Sequence, residues 1–194
     1  AAEVDILTGG NFRLGVGLGW NKVEYDALGE DFTNRGVRSE EQVELMRALW
    51  TQQSVKFDGK WHHIDAAGIN PMPVQRPIPV WFGGASDAVL RRIARMGDGW
   101  ITSPQVQTYE ANKAMLSRLY GFAEEIDRDP ATIGIEGRIE LVDHPTDADV
   151  LAAFREWREM DVGIVTLSTR AVGLDTPRQQ VDALKHYKDL ADSI

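Results

Sequence analysis

The sequence predicts an α/β fold built on parallel strands. Short apolar runs rich in β-branched and aromatic residues alternate with longer segments of helical periodicity, five times along the chain. Most of these runs end at glycine or at a residue suited to capping a helix, as β–α crossovers do. The 194 residues suffice for one domain with a real core, read as spanning 1–194. A doubly wound sheet and a barrel both fit the rhythm. A closed barrel takes eight such units and typically about 250 residues, so the pattern runs about three units short.

The opening AAEVDILTGG reads as the last turns of a helix, with Val4 and Leu7 apolar and Gly9–Gly10 as its stop. It has neither Met nor an N-cap before it, which reads as a start inside a domain. Phe12 to Leu18 is apolar and β-leaning, hence a strand. GWNKVEYDALGEDFTNRG has turn residues at both ends and room for a short helix. Ser39 and Gln42 have capping-box spacing, so a helix carrying Val43, Leu45, Met46, Leu49 and Trp50 is expected to start there. VKF-DG-KWHHI predicts a hairpin insertion, about 54–65, turning at Asp58–Gly59.

Beyond the proline-rich path AAGINPMPVQRPIP, the run Ile78 to Phe82 predicts a buried strand. Gly83 and Gly84 allow a tight turn, Ser86 suits an N-cap, Leu90, Ile93 and Ala94 share a helix face, and Gly97 ends it. A second strand follows at DGWIT. Thr108 predicts a cap for a helix bearing Met115, Leu119, Phe122 and Ile126, broken at Asp129–Pro130. Ile133, Ile135, Ile139 and Leu141 alternate with Glu136, Arg138 and Glu140, a strand with one apolar and one polar face. Thr146 opens a helix with Val150, Phe154 and Trp157. Gly163 to Ser168 reads as a buried strand. Thr176–Pro177 opens the last helix, with Val181, Leu184 and Tyr187 on it.

The stretch Pro77 to Trp100 carries the clearest chemistry. Backbone N–H groups at a strand–Gly-Gly–Ser–helix turn lack intrahelical partners, and the helix dipole adds positive potential, which suits a phosphate. Helices also start with Gly and Ser and bind nothing, so local physics leaves both readings open. Composition excludes more than it assigns. The net charge of -9 argues against a nucleic-acid surface, and the lack of cysteine rules out disulfides and thiolate chemistry. There is no apolar run long enough for a membrane span and no visible signal peptide, so a cytoplasmic location is expected. No metal-ligand spacing, nucleophile elbow or P-loop is found.

FRLGVGLGWNKVEYDALG, RSEEQVELMRALW, VKFDGKWHHI, NPMPVQRPIPVWFGGAS and GDGW, in that order, resemble the bacterial luciferase-like monooxygenase family. Within it they are most similar to the actinobacterial oxidoreductases that depend on the deazaflavin coenzyme F420. The resemblance covers nearly the whole chain and is strongest from Phe12 to Trp100. It implies a (β/α)₈ TIM barrel of the luciferase-like type, incomplete, with strands four to eight present and the first three units absent. Such a piece would leave two open sheet edges and an apolar lumen. It is therefore expected to form a homo-oligomer or to associate with the missing N-terminal part. The resemblance further implies F420 or FMN as cofactor and a small-molecule substrate. With F420 the reaction is hydride transfer without oxygen; with FMN it is a monooxygenase reaction. A non-catalytic flavin-binding or interaction protein is the rival class.

Carried over residue by residue, the resemblance places the cofactor phosphate on Gly83, Gly84, Ala85 and Ser86. It points to Asn21 as a ring contact with Gly19 and Trp20 beside it. No catalytic residue is assigned. Each candidate has a plainer reading. Gly15, Gly17 and Gly19 admit a flat ring or relieve crowding at a corner. Asn21 is equally a turn residue. Trp100 reads as core before ligand wall, and Asp98 as a turn residue. Arg138 and Arg170 are weak candidates for a substrate or anion contact, and for Arg138 a salt bridge with Glu136 or Glu140 is the stronger reading. His62 and His63 are expected on opposite faces of the hairpin, His144 in a turn and His186 on the last helix.

Overall fold

The computed structural model describes residues 1–103 and 108–194, which divide into two compact units, Ala1–Phe82 and Gly83–Ile194. The first unit begins with α1 (Ala2–Leu7). Asp5 of α1 is fully buried and accepts from Gln75 backbone N at 2.9 Å and from its Nε2 at 2.7 Å, anchoring the helix to the proline-rich path. The expected strand over Phe12–Leu18 narrows to β1 (Leu14–Val16). Gly19, at φ +75°, turns the chain, and the Leu18 carbonyl accepts from the Tyr25 hydroxyl. α2 (Lys22–Ala27) follows.

Next comes α3 (Arg35–Thr51), with Asn34 at its N-cap position. It starts a turn earlier than the Ser39–Gln42 spacing predicts. Ser39 lies buried inside the helix, its Oγ donating to the Gly36 carbonyl at 2.7 Å, so it is not a cap. Val43, Leu45 and Trp50 are its buried apolar residues.

The hairpin is β2 (Val55–Asp58) against β3 (His63–Ala67). Its turn is not centred on Asp58–Gly59. Asp58 pairs with His63, and residues 59–62 form the connection, closed by Gly59 N–H to the His62 carbonyl at 2.9 Å. Glu41 of α3 explains the shift. Its carboxylate accepts from the backbone N–H of Lys60, Trp61 and His62 at 2.7, 2.9 and 2.8 Å, and His62 Nδ1 lies 2.8 Å from it. A Cβ on Gly59 would lie 2.4 Å from that carboxyl carbon. His62 lies in the connection, not on a strand as expected, while His63 opens β3 and meets Asp58 at 2.6 Å.

Burial works to raise the Glu41 carboxyl; the hydrogen bonds from His62, Trp61 and Lys60 outweigh it and hold it down at about 2. A depressed folded value contributes stability in full above the unfolded value near 4.5, and that contribution is lost as pH falls through about 2. Amide protection of Lys60, Trp61 and His62 is expected to fall between those pH values. Glu41→Gln, which keeps one acceptor oxygen, is expected to cost roughly tenfold in protection at neutral pH and to remove the pH dependence. Hydrogen exchange checks this; equal protection in parent and variant contradicts it.

The strand expected over Ile78–Phe82 is β4 (Val80–Gly83), paired in parallel with β1 in the register Leu14↔Val80 to Val16↔Phe82. Ile78, Val80 and Phe82 are essentially unexposed.

The second unit runs α4 (Asp87–Met96), β5 (Gly99–Ile101), α5 (Tyr109–Glu124), β6 (Gly134–Glu140), α6 (Asp147–Glu159), β7 (Ile164–Ser168) and α7 (Pro177–Ala191). β5 pairs with β6, and β6 with β7, all in parallel. Leu90, Ile93 and Ala94 are buried on α4 as the spacing predicts. Gly97 ends α4 in an extended conformation, φ -80°, not a left-handed one. It is glycine for space, since a Cβ would lie 3.0 Å from Ile93 Cα. Arg128 closes the same end by donating to the carbonyls of Ile93, Ala94 and Gly97 at 3.1, 3.0 and 2.8 Å. Thr108 caps α5, which stops before Ile126; the chain turns at Asp127, φ +57°.

β6 has the expected two faces, but its polar one is not solvated: Glu136 and Glu140 are each only 8% exposed. On its apolar face Gly137 receives Trp157 of α6. The apolar lumen expected above is therefore not found at β6 and β7, where the face turned from Trp157 carries charge. Thr146 and Thr176 both make capping boxes, with Asp149 and Gln179. β7 is more exposed than a buried strand, because among the described residues of this unit it pairs only on its β6 side. α7 buries none of its residues, and Val181 and Leu184 remain exposed. No described helix is long and apolar enough to cross a membrane.

Candidate functional site

The turn into α4 is built from backbone. Gly84 sits at φ +127°, a conformation L side chains rarely adopt, and a Cβ there would lie 3.2 Å from Val89. Its carbonyl accepts from Trp100 Nε1 at 2.8 Å, and Trp100 is unexposed, so the ring is core and also a tether for the loop. Ser86 holds the N-cap position, φ -80° and ψ 155°, but its hydroxyl makes no cap bond, contrary to the sequence reading. The Ser86 carbonyl accepts from Val89 and Leu90, both at 2.9 Å. Among the described residues none accepts from the N–H of Ala85, Ser86, Asp87 or Ala88. Gly83 is open: the nearest atom to a Cβ there is the Ile101 carbonyl oxygen at 4.0 Å. Asp87 would oppose an anion at this end, and the Arg118 guanidinium of α5 pairs with it. Such a loop is a set of N–H donors at the positive end of a helix dipole, fitted to a phosphate.

Arg138 and Arg170 line one cavity of about 630 Å³, with Thr166, Ser168, Asp175 and Gln180 among its walls. The salt-bridge reading of Arg138 holds: its Nε donates to Glu140. Burial works to raise the Glu140 carboxyl, but hydrogen bonds from Ser168 and Arg138 and the charges of Arg138 and Arg170 hold it below its usual value. Thr166 Oγ1 donates to Glu136 at 2.6 Å across the same face. Arg170 is exposed and its charge also acts on Glu140; Arg138 is engaged by Glu140 directly.

Gly19, Trp20 and Asn21 lie in the first unit. Trp20 is 88% exposed. Asn21 is the N-cap of α2: its Oδ1 accepts from Val23 N–H at 3.3 Å and its Nδ2 donates to Glu24 at 3.1 Å. Both ends of the amide are thus in use, as the turn reading has it. His144 Nδ1 donates to the Glu140 carbonyl at 2.8 Å, and His186 meets Asp147 at 2.9 Å. Among the described residues no group of three or more His, Cys, Asp or Glu is placed to hold a metal ion. Two residues gave no signal in the sequence. Thr102 Oγ1 and Asn112 Oδ1 are buried with no hydrogen-bond partner among the described residues, the residues being 2% and 5% exposed.

Residues 1–192 match the family model described as luciferase-like monooxygenase. An uncharacterized protein of Mycobacterium tuberculosis is 40% identical over 105 residues, 54% of this chain and 37% of that protein. An FMNH(2)-dependent dimethylsulfone monooxygenase of Pseudomonas putida is 35% identical over 106 residues, 53% of this chain and 29% of that protein. An F420-dependent glucose-6-phosphate dehydrogenase of Gordonia bronchialis is 31% identical over 165 residues, 83% of this chain and 48% of that protein. The chain therefore spans less than half the length of these relatives. A solved monooxygenase from Streptomyces bottropensis is similar in fold, with a TM-score of 0.70 at 19% identity, covering 98% of this chain and 68% of that one.

Proposed function

The chain belongs to the luciferase-like monooxygenase family, and we propose that it holds the phosphate end of a flavin-type cofactor in an oxidoreductase. The observation that carries this is the turn into α4, where the N–H groups of Ala85 and Ser86 have no acceptor among the described residues while Trp100 pins the Gly84 carbonyl. Coenzyme F420 is the proposed cofactor, with hydride transfer to or from a small organic substrate. The F420-dependent relative supports this by matching over 83% of the chain. The FMNH(2)-dependent relative, at 35% identity over a shorter stretch, supports a second reading as an FMN-dependent monooxygenase. The bound cofactor supplies the redox chemistry. In this reading the residues of this chain hold and orient it: the turn takes the phosphate, and Arg170, which lines the cavity, takes an anionic group of cofactor or substrate. Asn21, Gly19 and Trp20 are the proposed neighbours of the ring.

Two substitutions test the cradle. Gly83→Val puts a branched side chain where the phosphate would approach, with no described atom nearer than 4.0 Å to clash. Ser86→Pro deletes one N–H at a φ of -80°, close to that of proline. Both are expected to weaken F420 or FMN binding at least about tenfold, with melting nearly unchanged. Titration by cofactor fluorescence checks this; parental affinity in both folded variants overturns the assignment.

A further inference from the structure

We infer that Thr102 is a side-chain ligand of the same phosphate, resting on the reading of Gly83–Ser86 as its cradle. Thr102 is 2% exposed, and its Oγ1 has no partner among the described residues. Buried hydroxyls are nearly always hydrogen-bonded, so an orphan at a strand end beside an open helix N-terminus points to a missing acceptor. The backbone fixes where it points. Thr102 N–H donates to the Glu136 carbonyl at 3.1 Å, continuing the β5–β6 ladder past Ile101. Side chains alternate along that ladder, so Thr102 shares a face with Trp100, about 6.6 Å further toward the strand's C-terminal end. The Trp100 side chain on that face reaches the Gly84 carbonyl at 2.8 Å, and the Ile101 carbonyl lies 4.0 Å from the open side of Gly83. Two flanking observations thus bring the end of β5 to the glycine turn.

The chemistry is specific. The turn offers backbone N–H donors and the Ser86 hydroxyl, which makes no cap bond. The Thr102 hydroxyl adds one more donor without adding charge, and its direction is set by the strand rather than by the loop. Without phosphate the hydroxyl is buried and unmet; with phosphate it is met. A threonine of purely structural use has no such dependence on ligand.

The isosteric Thr102→Val separates the two. Its melting temperature without ligand is expected to equal or exceed that of the parent, because an unmet polar group has been removed. Its affinity is expected to fall about tenfold for whichever of FMN and F420 binds the parent, a hydrogen bond to a charged group having been lost. Affinity for riboflavin, or for the deazaflavin core lacking the phosphate arm, is expected to stay unchanged. Thr102→Ser, which restores the hydroxyl, is expected to recover most of the loss. Parental affinity in Thr102→Val, or equal loss for phosphate-bearing and phosphate-free probes, overturns the role of Thr102. A parent that binds FMN no better than riboflavin, and F420 no better than its core, overturns the cradle itself and the role of Thr102 with it.

Discussion

Trp100→Ala is expected to lower the stability of the second unit by ~3–5 kcal/mol, the usual cost of truncating a buried aromatic residue to alanine. The indole is unexposed, on a strand of three residues paired in parallel with β6. In a chain of this size the melting temperature would fall by roughly 6–20 °C. Trp100→Phe separates packing from tethering. It keeps most of the apolar volume but cannot donate to the Gly84 carbonyl, 2.8 Å from Nε1 in the parent. Gly84 is partly exposed, so water can replace the lost donor, and the stability cost is expected to be only about 0.5–1.5 kcal/mol. The glycine turn, however, loses the bond that sets its plane. Cofactor affinity in Trp100→Phe is therefore expected to drop several-fold while melting moves little. Calorimetric melting and fluorescence titration on the same samples check both. If Trp100→Phe binds cofactor like the parent, Trp100 is core and nothing more.

Local signals and long-range ones fared differently in the sequence. The capping residues Thr108, Thr146 and Thr176 stand where the sequence places them, because a cap is chemistry over three or four neighbouring residues. Ser39 failed by the same standard: its capping-box spacing is real, but packing of α3 carries the helix through it. The hairpin turn moved because Glu41, nineteen residues upstream of Lys60, binds three successive amides of the connection. Asp5 gave no signal in the sequence, because its partner Gln75 is seventy positions away. At the site, the Gly-Gly–Ser motif marked the turn, while the tether from Trp100 and the orphan hydroxyl of Thr102 could not be read, since both depend on which face of β5 meets the loop. Asn21 was legible as a turn residue, and the geometry gives both ends of its amide to α2.

Gly137→Ala is expected to be among the costlier glycine substitutions here. A Cβ at this position would lie 2.5 Å from Trp157 Cδ2, 2.8 Å from Cε2 and 2.9 Å from Cε3. The indole is 4% exposed and its Nε1 donates to the Arg138 carbonyl at 3.3 Å, so it has little freedom to withdraw. Either β6 moves off α6 or the ring leaves its place, and overpacking of this kind costs typically about 1–3 kcal/mol, occasionally more. Movement of β6 would also disturb its other face, where Thr166 bonds Glu136 and Arg138 pairs with Glu140. Trp157→Leu removes the clash at the price of a smaller core residue. The double variant is expected to be more stable than the sum of the single losses predicts, by about 0.5–3 kcal/mol, because the two side chains compete for one space. Denaturant melts of the four proteins close this cycle. Additive losses would mean that β6 and α6 adjust independently, and that contact with Trp157 is not what keeps position 137 a glycine.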